Sequence, residues 1–321
     1  MTQPRIKTTA EQVPTRAAGH APAAPTTRTA RTASAPTPHH APWRGYGALA
    51  IGVLAIAWSA LFVRWAHVSG PASAFYRALV AAAVLVPWRL ARGGPVSRRV
   101  IVYSALGGIF FAFDLALFNS AVLSTSAANA TLLGNNAPLM VGLGAWIVFH
   151  QRPTRRFWIG LALALAGTIT IAGGDTLRHA SFGLGDVMAV CASVFFAGYI
   201  LTTNRVRVHA DTLTVTAVAV ASSAATLLLL CLALGVPLSG YPAHSWVALA
   251  ALGLVTQVVG YLCVTYALGR LPATATSVGL LAQSPLTALL AIPFLGEGLA
   301  PSQLIGGVLV LAGIYVVVAT A

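Results

Sequence analysis

Two charged residues stand where an apolar sequence has least use for them: Asp114 in IFFAFDLALFNS (109–120) and Arg77 in ASAFYRALV (72–80). An ionisable group inside a hydrocarbon span costs about 2.5–3.5 kcal/mol on insertion scales and as a rule faces a cavity or a partner. A carboxylate so placed has three chemistries open to it. Asp114 can pair structurally with Arg77, bind a proton that is exchanged with substrate, or receive a substrate amine. Arg77 lies six residues beyond Pro71, a depth of about 9 Å at the helical rise, and Asp114 lies at about 10–11 Å in the next span. The two meet if their helices pack together.

Carboxamides, hydroxyls and prolines form a second constellation. Asn129 and Asn136 are seven residues apart, close to two helical turns, and so point the same way. Pro138 cannot donate to the carbonyl of Gly134, nor Pro285 to that of Leu281, so each helix gains a free acceptor and an expected kink. Such helices offer donors and acceptors to a zwitterion or an amide. The same amides could equally serve interhelical hydrogen bonds, worth about 0.6 kcal/mol on average. Trp58, Tyr199, Tyr266 and Gln257 are candidate walls of a pocket, although lone aromatics in spans more often pack or anchor. Arg64 near a helix end reads as snorkelling, Asp186 as a helix N-terminal charge and His67 as a rim residue.

The elements that must position these groups are membrane helices. The 321 residues are 57% hydrophobic and only 8% charged, against roughly 25% charged in a soluble domain. Apolar runs of about 20 residues follow one another beyond residue 43, each long enough to cross about 30 Å of hydrocarbon as a helix. Ten spans are expected: 45–67, 71–90, 100–121, 127–149, 157–174, 184–204, 212–235, 245–268, 273–295 and 302–320. Residues 1–42, rich in Ala, Pro, Thr and Arg, are expected to form a disordered basic tail. They lack the apolar core of a secretory signal, so the first span is expected to be retained.

The net charge of +13 would suggest nucleic acid in a soluble protein, but the arrangement of the charges argues otherwise. Arg89, Arg92, Arg98, Arg99, Arg152, Arg155, Arg156, Arg205, Arg207 and Arg270 lie in or beside alternate connections, and the intervening connections carry only Arg178. This alternation is the positive-inside pattern of an inner membrane protein. With the basic tail it places both termini in the cytoplasm and the lipid bilayer as the surrounding partner. Nucleic acid is not expected.

The chain repeats itself. At a shift of 147 residues, DLALFNSAVLSTSAANATLLGNNAPLM (114–140) lies over YLCVTYALGRLPATATSVGLLAQSPLT (261–287). Pro138 meets Pro285, Asn136 meets Gln283, Asn129 meets Thr276 and Asp114 meets Tyr261. IGLALALAG (159–167) likewise resembles IGGVLVLAG (305–313), displaced by one residue. The fold expected is an all-α polytopic membrane protein of ten transmembrane helices in two five-helix repeats, 43–175 and 183–321. Five is odd, so the second repeat enters the membrane inverted, the architecture of many secondary transporters with a midplane site between halves.

Other classes lack the necessary groups. Beyond the tail the acids are Asp114, Asp175, Asp186, Asp211 and Glu297, with no pair at metal-binding spacing and no hydrolase or zincin motif. No enzyme activity, metal or cofactor is expected. Cys191, Cys231 and Cys263 fall singly in apolar runs and read as small core residues. A channel's filter or charged ring is not visible. A lipid flippase is harder to separate, because a lateral opening leaves no sequence mark.

The segments GLGDVMAVCASVFFAGY, LPATATSVGLLAQSPLTALLAIPFLGEGLAPSQLIGGVLVLAGIYVV and ANATLLGNNAPLMVGLGAWIVF together resemble the drug/metabolite transporter superfamily, specifically its EamA-type ten-helix members, over about residues 45–320. The resemblance implies a proton-linked or gradient-driven carrier of small metabolites, often an amino-acid or drug exporter. It also implies a cavity lined chiefly by helices 1, 3, 4, 6, 8 and 9. One departure is clear. The acid that follows the fourth helix in the family, present in the second repeat as Glu297, is here Gln151.

The expectation is therefore an inner-membrane carrier of a small amino-acid-like or amphipathic molecule, working by alternating access. Its site would comprise Asp114, Arg77, Asn129, Asn136, Tyr261, Thr276 and Gln283, with Pro138 and Pro285 as hinges. Protons are the candidate co-substrate, and small-xxx-small spacings such as Ala48/Gly52 and Gly160/Ala164 fit close packing or a homodimer. Export follows from the resemblance alone; an uptake permease or a lipid-linked flippase are the alternatives.

Overall fold

The computed structural model describes residues 42–124, 133–172, 183–295 and 301–319. The expected tail, Asn129, Arg178 and Glu297 lie outside these. The described residues form helices and turns, without strands. The helices are α1 (Pro42–Ala57), α2 (Ser59–Ala66), α3 (Gly70–Arg92), α4 (Arg98–Ser124), α5 (Ala137–Phe149), α6 (Arg155–Ala172), α7 (Leu184–Arg207) and α8 (Thr212–Ala233). There follow α9 (Ala243–Ala251), a π-helical stretch Leu252–Gly260, α10 (Tyr261–Leu268), α11 (Ala273–Gly279), a 3₁₀ turn Leu280–Ala282, α12 (Gln283–Leu295) and α13 (Pro301–Val318). Among the described residues, seven helical stretches are long and apolar enough to cross a bilayer, and Ala137–Phe149 is a shorter apolar helix. Each of the ten expected spans contains described helix. Large side chains such as Ile147, Leu184, Leu229, Val247 and Val308 stand exposed around the outside, where water would penalise them and lipid does not. The molecule is a multi-pass membrane protein.

The helices break at Trp58, at Asn135–Asn136 and before α12, whereas Pro87 in α3 and Pro293 in α12 lie within continuous helix. The first span bends at Trp58, between α1 and α2, and the hydroxyl of Thr287 on α12 donates to the Ala57 carbonyl there at 3.0 Å. The fourth is interrupted at Asn135–Asn136, and Pro138 sits in the first turn of the resumed helix α5, where its missing N–H is tolerated. At the matching place in the second repeat, a 3₁₀ turn precedes α12, whose third residue is Pro285. Asn135 Nδ2 approaches Ser284 Oγ at 3.3 Å, joining the two breaks.

The inversion can be read from glycine contacts between α6 and α13. A methyl group placed on Gly160 would lie 2.6 Å from Gly313 O, and one on Gly313 would lie 2.5 Å from Gly160 O. Gly167 and Gly306 meet in the same reciprocal way, at 2.6 and 2.5 Å. Ascending numbers on α6 meet descending numbers on α13, so the helices are antiparallel. Gly160 corresponds to Gly306 in the repeat, and Gly167 to Gly313. Each half thus offers the other the same two positions, which is the signature of a two-fold axis. An axis relating antiparallel membrane helices lies in the membrane plane. The absence of side chains is what lets these backbones touch.

The main core, formed by residues such as Leu49, Val53, Phe75, Phe111, Leu115, Ile200, Leu227, Tyr261 and Val264, draws on both repeats. α4 packs along α7, α3 along α8, and α1 along the π stretch and α10. A second cluster joins Phe157, Leu161 and Ala164 of α6 to Val278, Leu281, Val310 and Val317.

Candidate functional site

Arg77 occupies the middle of this core, and its neighbours come from both repeats. It reaches that position through the start of α3. Pro71 opens the helix and Ser73 Oγ donates to Gly70 O at 2.9 Å. Gly70 packs against Asn119, whose Nδ2 donates to Gly70 O at 2.9 Å. This contact sets the register of α3 against α4. Arg77 lies seven residues beyond it on one helix, and Asp114 five residues before it on the other, so both sit about 8–10 Å deeper.

Arg77 is 7% exposed. Its Nε donates to Gln257 Oε1 at 2.7 Å, a bond across the repeats, and its Nη1 to Ser59 Oγ at a long 3.4 Å. Nη2 is buried with no acceptor. The guanidinium carbon stands 5.2 Å from the Tyr261 ring centroid and 5.9 Å from that of Phe111, within the range of cation–π attraction. Phe111, Tyr199 and Tyr261 themselves form a cluster, with centroids 4.7–6.0 Å apart.

Asp114 is half-buried and acts on Arg77 through its charge rather than through a hydrogen bond. Tyr261, its equivalent in the second repeat, lies against the same guanidinium. The two-fold thus brings an acid and a phenol to one cation, which leaves the site chemically asymmetric.

Gln257 belongs to the π-helical stretch, and the Thr256 hydroxyl beside it donates to Leu252 O at 2.5 Å. π-Helical turns are rare and concentrate at functional sites. Here the stretch also lies where Gly253 and Gly260 press on Val80 and Ile56 of neighbouring helices.

The remaining expected residues fall elsewhere. Thr276 is buried and its hydroxyl donates to Pro272 O on its own helix at 3.1 Å. Asn136 Nδ2 turns back to Leu133 O at 3.1 Å, and Gln283 is half-buried at the head of α12. Asn129 lies outside the described residues. Of the suggested walls, Tyr199 joins the Arg77 cluster. Trp58 instead packs on Phe62 and Phe294, and Tyr266 carries the Arg270 guanidinium 3.5 Å from its ring centroid. Ser59, Phe111, Asn135 and Ser284 join the picture only in three dimensions. A polar residue amid an apolar run was the available signal for Asn135, and the i, i+4 spacing of Gln257 and Tyr261 the signal for their shared face.

Two inverted helical repeats with matched helix breaks are an architecture shared with many membrane transporters. The chain belongs to the EamA-like transporter family, which matches it twice, over residues 43–173 and 183–319. Among its relatives is the uncharacterised transporter YwfM of Bacillus subtilis, 31% identical, the match spanning 66% of this chain and 71% of that one. A probable terminal-alkyne amino-acid exporter of Streptantibioticus cattleyicolor is 26% identical, over 70% of this chain and 74% of its own. An uncharacterised transporter of Archaeoglobus fulgidus is 27% identical, over 77% and 86%. Among solved structures with the same fold is a crystal structure with a TM-score of 0.70 at 24% identity, covering 86% of this chain and 96% of that chain.

Proposed function

We propose that this transporter exports a small amino-acid-like or amphipathic molecule from the cytoplasm across the cell membrane. The two repeats rock about their shared axis, and Pro138 and Pro285 absorb the bending. Both termini lie in the cytoplasm, on the side of the basic loops. The observation that carries the reading is Arg77, a buried cation whose hydrogen bonds and stacking rings come from both repeats. A group held by both halves is well placed to feel their relative motion. The amino-acid exporter among the relatives supports the substrate class and the direction.

Asp114 is the proton site in this reading: half-buried, close enough to Arg77 to sense its charge, and without a hydrogen bond to it. The experiment is transport in proteoliposomes, with a screen of L-amino acids, propargylglycine and amphipathic amines. A pH gradient should drive accumulation of one chemical class, and Asp114→Asn should abolish that accumulation while sparing counterflow of labelled against unlabelled substrate. Scrambling of fluorescent lipid with no movement of any solute would overturn the reading in favour of a flippase.

A further inference from the structure

A guanidinium has five N–H donors and keeps its charge in a protein. At Arg77 only part of that capacity is used. The Nε donor is engaged by Gln257 at 2.7 Å, Nη1 has a long contact to Ser59 at 3.4 Å, and Nη2 has no acceptor though it is buried. The rings of Phe111 and Tyr261 stand over the guanidinium. What remains, beyond an interaction with the Tyr261 hydroxyl, is the terminal Nη1–Nη2 edge. Two parallel N–H groups at that spacing match the two oxygens of a carboxylate.

We propose that the Nη1–Nη2 edge of Arg77 is the subsite for a carboxylate of the transported molecule, which must therefore be a carboxylic acid. This rests on the transport reading above and narrows it. Gln257 holds the guanidinium by its other edge from the π-helical stretch, and so acts as a positioning residue. A carboxylate suits the site better than a phosphate group. The other charged group acting on Arg77 is Asp114, whose negative charge disfavours a dianion more than a monoanion.

The test uses the full-length purified protein and two readouts, thermal stabilisation in detergent and counterflow in proteoliposomes. The probes are the proteinogenic L-amino acids and propargylglycine, each compared with its own carboxamide. The acid should bind and exchange, and the carboxamide should bind more weakly by about tenfold or more, the factor expected for a lost charge-assisted hydrogen bond. Arg77→Lys should weaken the acid similarly, because a point charge cannot make the paired bonds. Gln257→Glu places a competing carboxylate against Nε. It should fold and melt no lower than wild type, yet bind the acid about tenfold more weakly.

Equal binding of acid and carboxamide by the wild type would overturn the subsite while leaving transport intact. So would undiminished affinity for the acid in Gln257→Glu. If wild type exchanges neither acid nor carboxamide, the transport reading fails first and the subsite falls with it.

Discussion

Replacing Gly306 by alanine tests the two-fold packing directly. The new methyl would sit 2.5 Å from Gly167 O, 2.7 Å from Ile171 Cγ1 and 2.8 Å from Ile171 N. Two of these three atoms are backbone and cannot rotate aside. Ordinary contact begins at 3.4 Å, so α6 and α13 must part locally by roughly 0.9 Å. Overpacking of this kind costs about 1–3 kcal/mol. Alanine also returns about 1 kcal/mol of helix propensity, which would blur a comparison with wild type. Gly47 supplies the control, being helical with no atom within 4 Å of an added methyl. Gly306→Ala should therefore be less stable than Gly47→Ala by about 1–3 kcal/mol, the propensity gain being common to both. The assay is thermal unfolding of the purified protein in detergent. A second arm uses Gly167→Ala, which needs the same gap, so the double variant should cost clearly less than the two single costs summed. If Gly306→Ala melts at or above Gly47→Ala, the backbones are not in contact and the two-fold argument fails.

Other perturbations reach different parts of the molecule. Asp211 caps α8, accepting from Thr214 N at 3.1 Å and from Thr214 Oγ1 at 2.6 Å, and Arg89 Nε donates to the same hydroxyl oxygen at 2.7 Å. Burial pushes its carboxyl up, but the hydrogen bonds from Thr214 and Leu213 and the charge of Arg89 outweigh this and hold it below the usual carboxylate value. A lowered folded-state value means stability that is present above the unfolded value of about 3.9 and lost as pH falls through the folded one. Asp211→Ala should cost about 1 kcal/mol at pH 7, and the gap in melting temperature should close on acidification below about pH 4; a gap independent of pH would refute the cap. Thr287→Val removes the hydroxyl that reaches the Ala57 carbonyl and should cost about 1 kcal/mol, read as a lower melting temperature. For Asn135 and Ser284, a double-mutant cycle with alanine should give a coupling near 0.6 kcal/mol, and a coupling of zero would mean that the breaks are not joined.

Much of the architecture was legible in the sequence, because a bilayer leaves a backbone few choices. Each polar N–H and C=O in hydrocarbon must be satisfied internally, so a run of about 20 apolar residues is already a helix. The repeat, with an odd number of spans, then requires inversion. Pro138 and Pro285 marked two of the helix breaks, since a missing donor acts locally, while the break at Trp58 carries no proline. Arg77 and Asp114 were also visible, because a charge is conspicuous in such a sequence. Their relation was not. Spacing along two helices gave a shared depth, but whether the side chains pair depends on rotation about each helix axis. That rotation is set by the Gly70–Asn119 contact and by packing on α8 and the π stretch.

The tertiary structure alone decided that Arg77 bonds Gln257, 180 residues away, and that Asn135 meets Ser284 at the opposite break. It also decided that Thr276 bonds within its own helix. A hydroxyl or amide in a membrane helix can satisfy itself on the preceding turn or on a neighbour, at similar energies. Only the packing of the second repeat against the first selects between them.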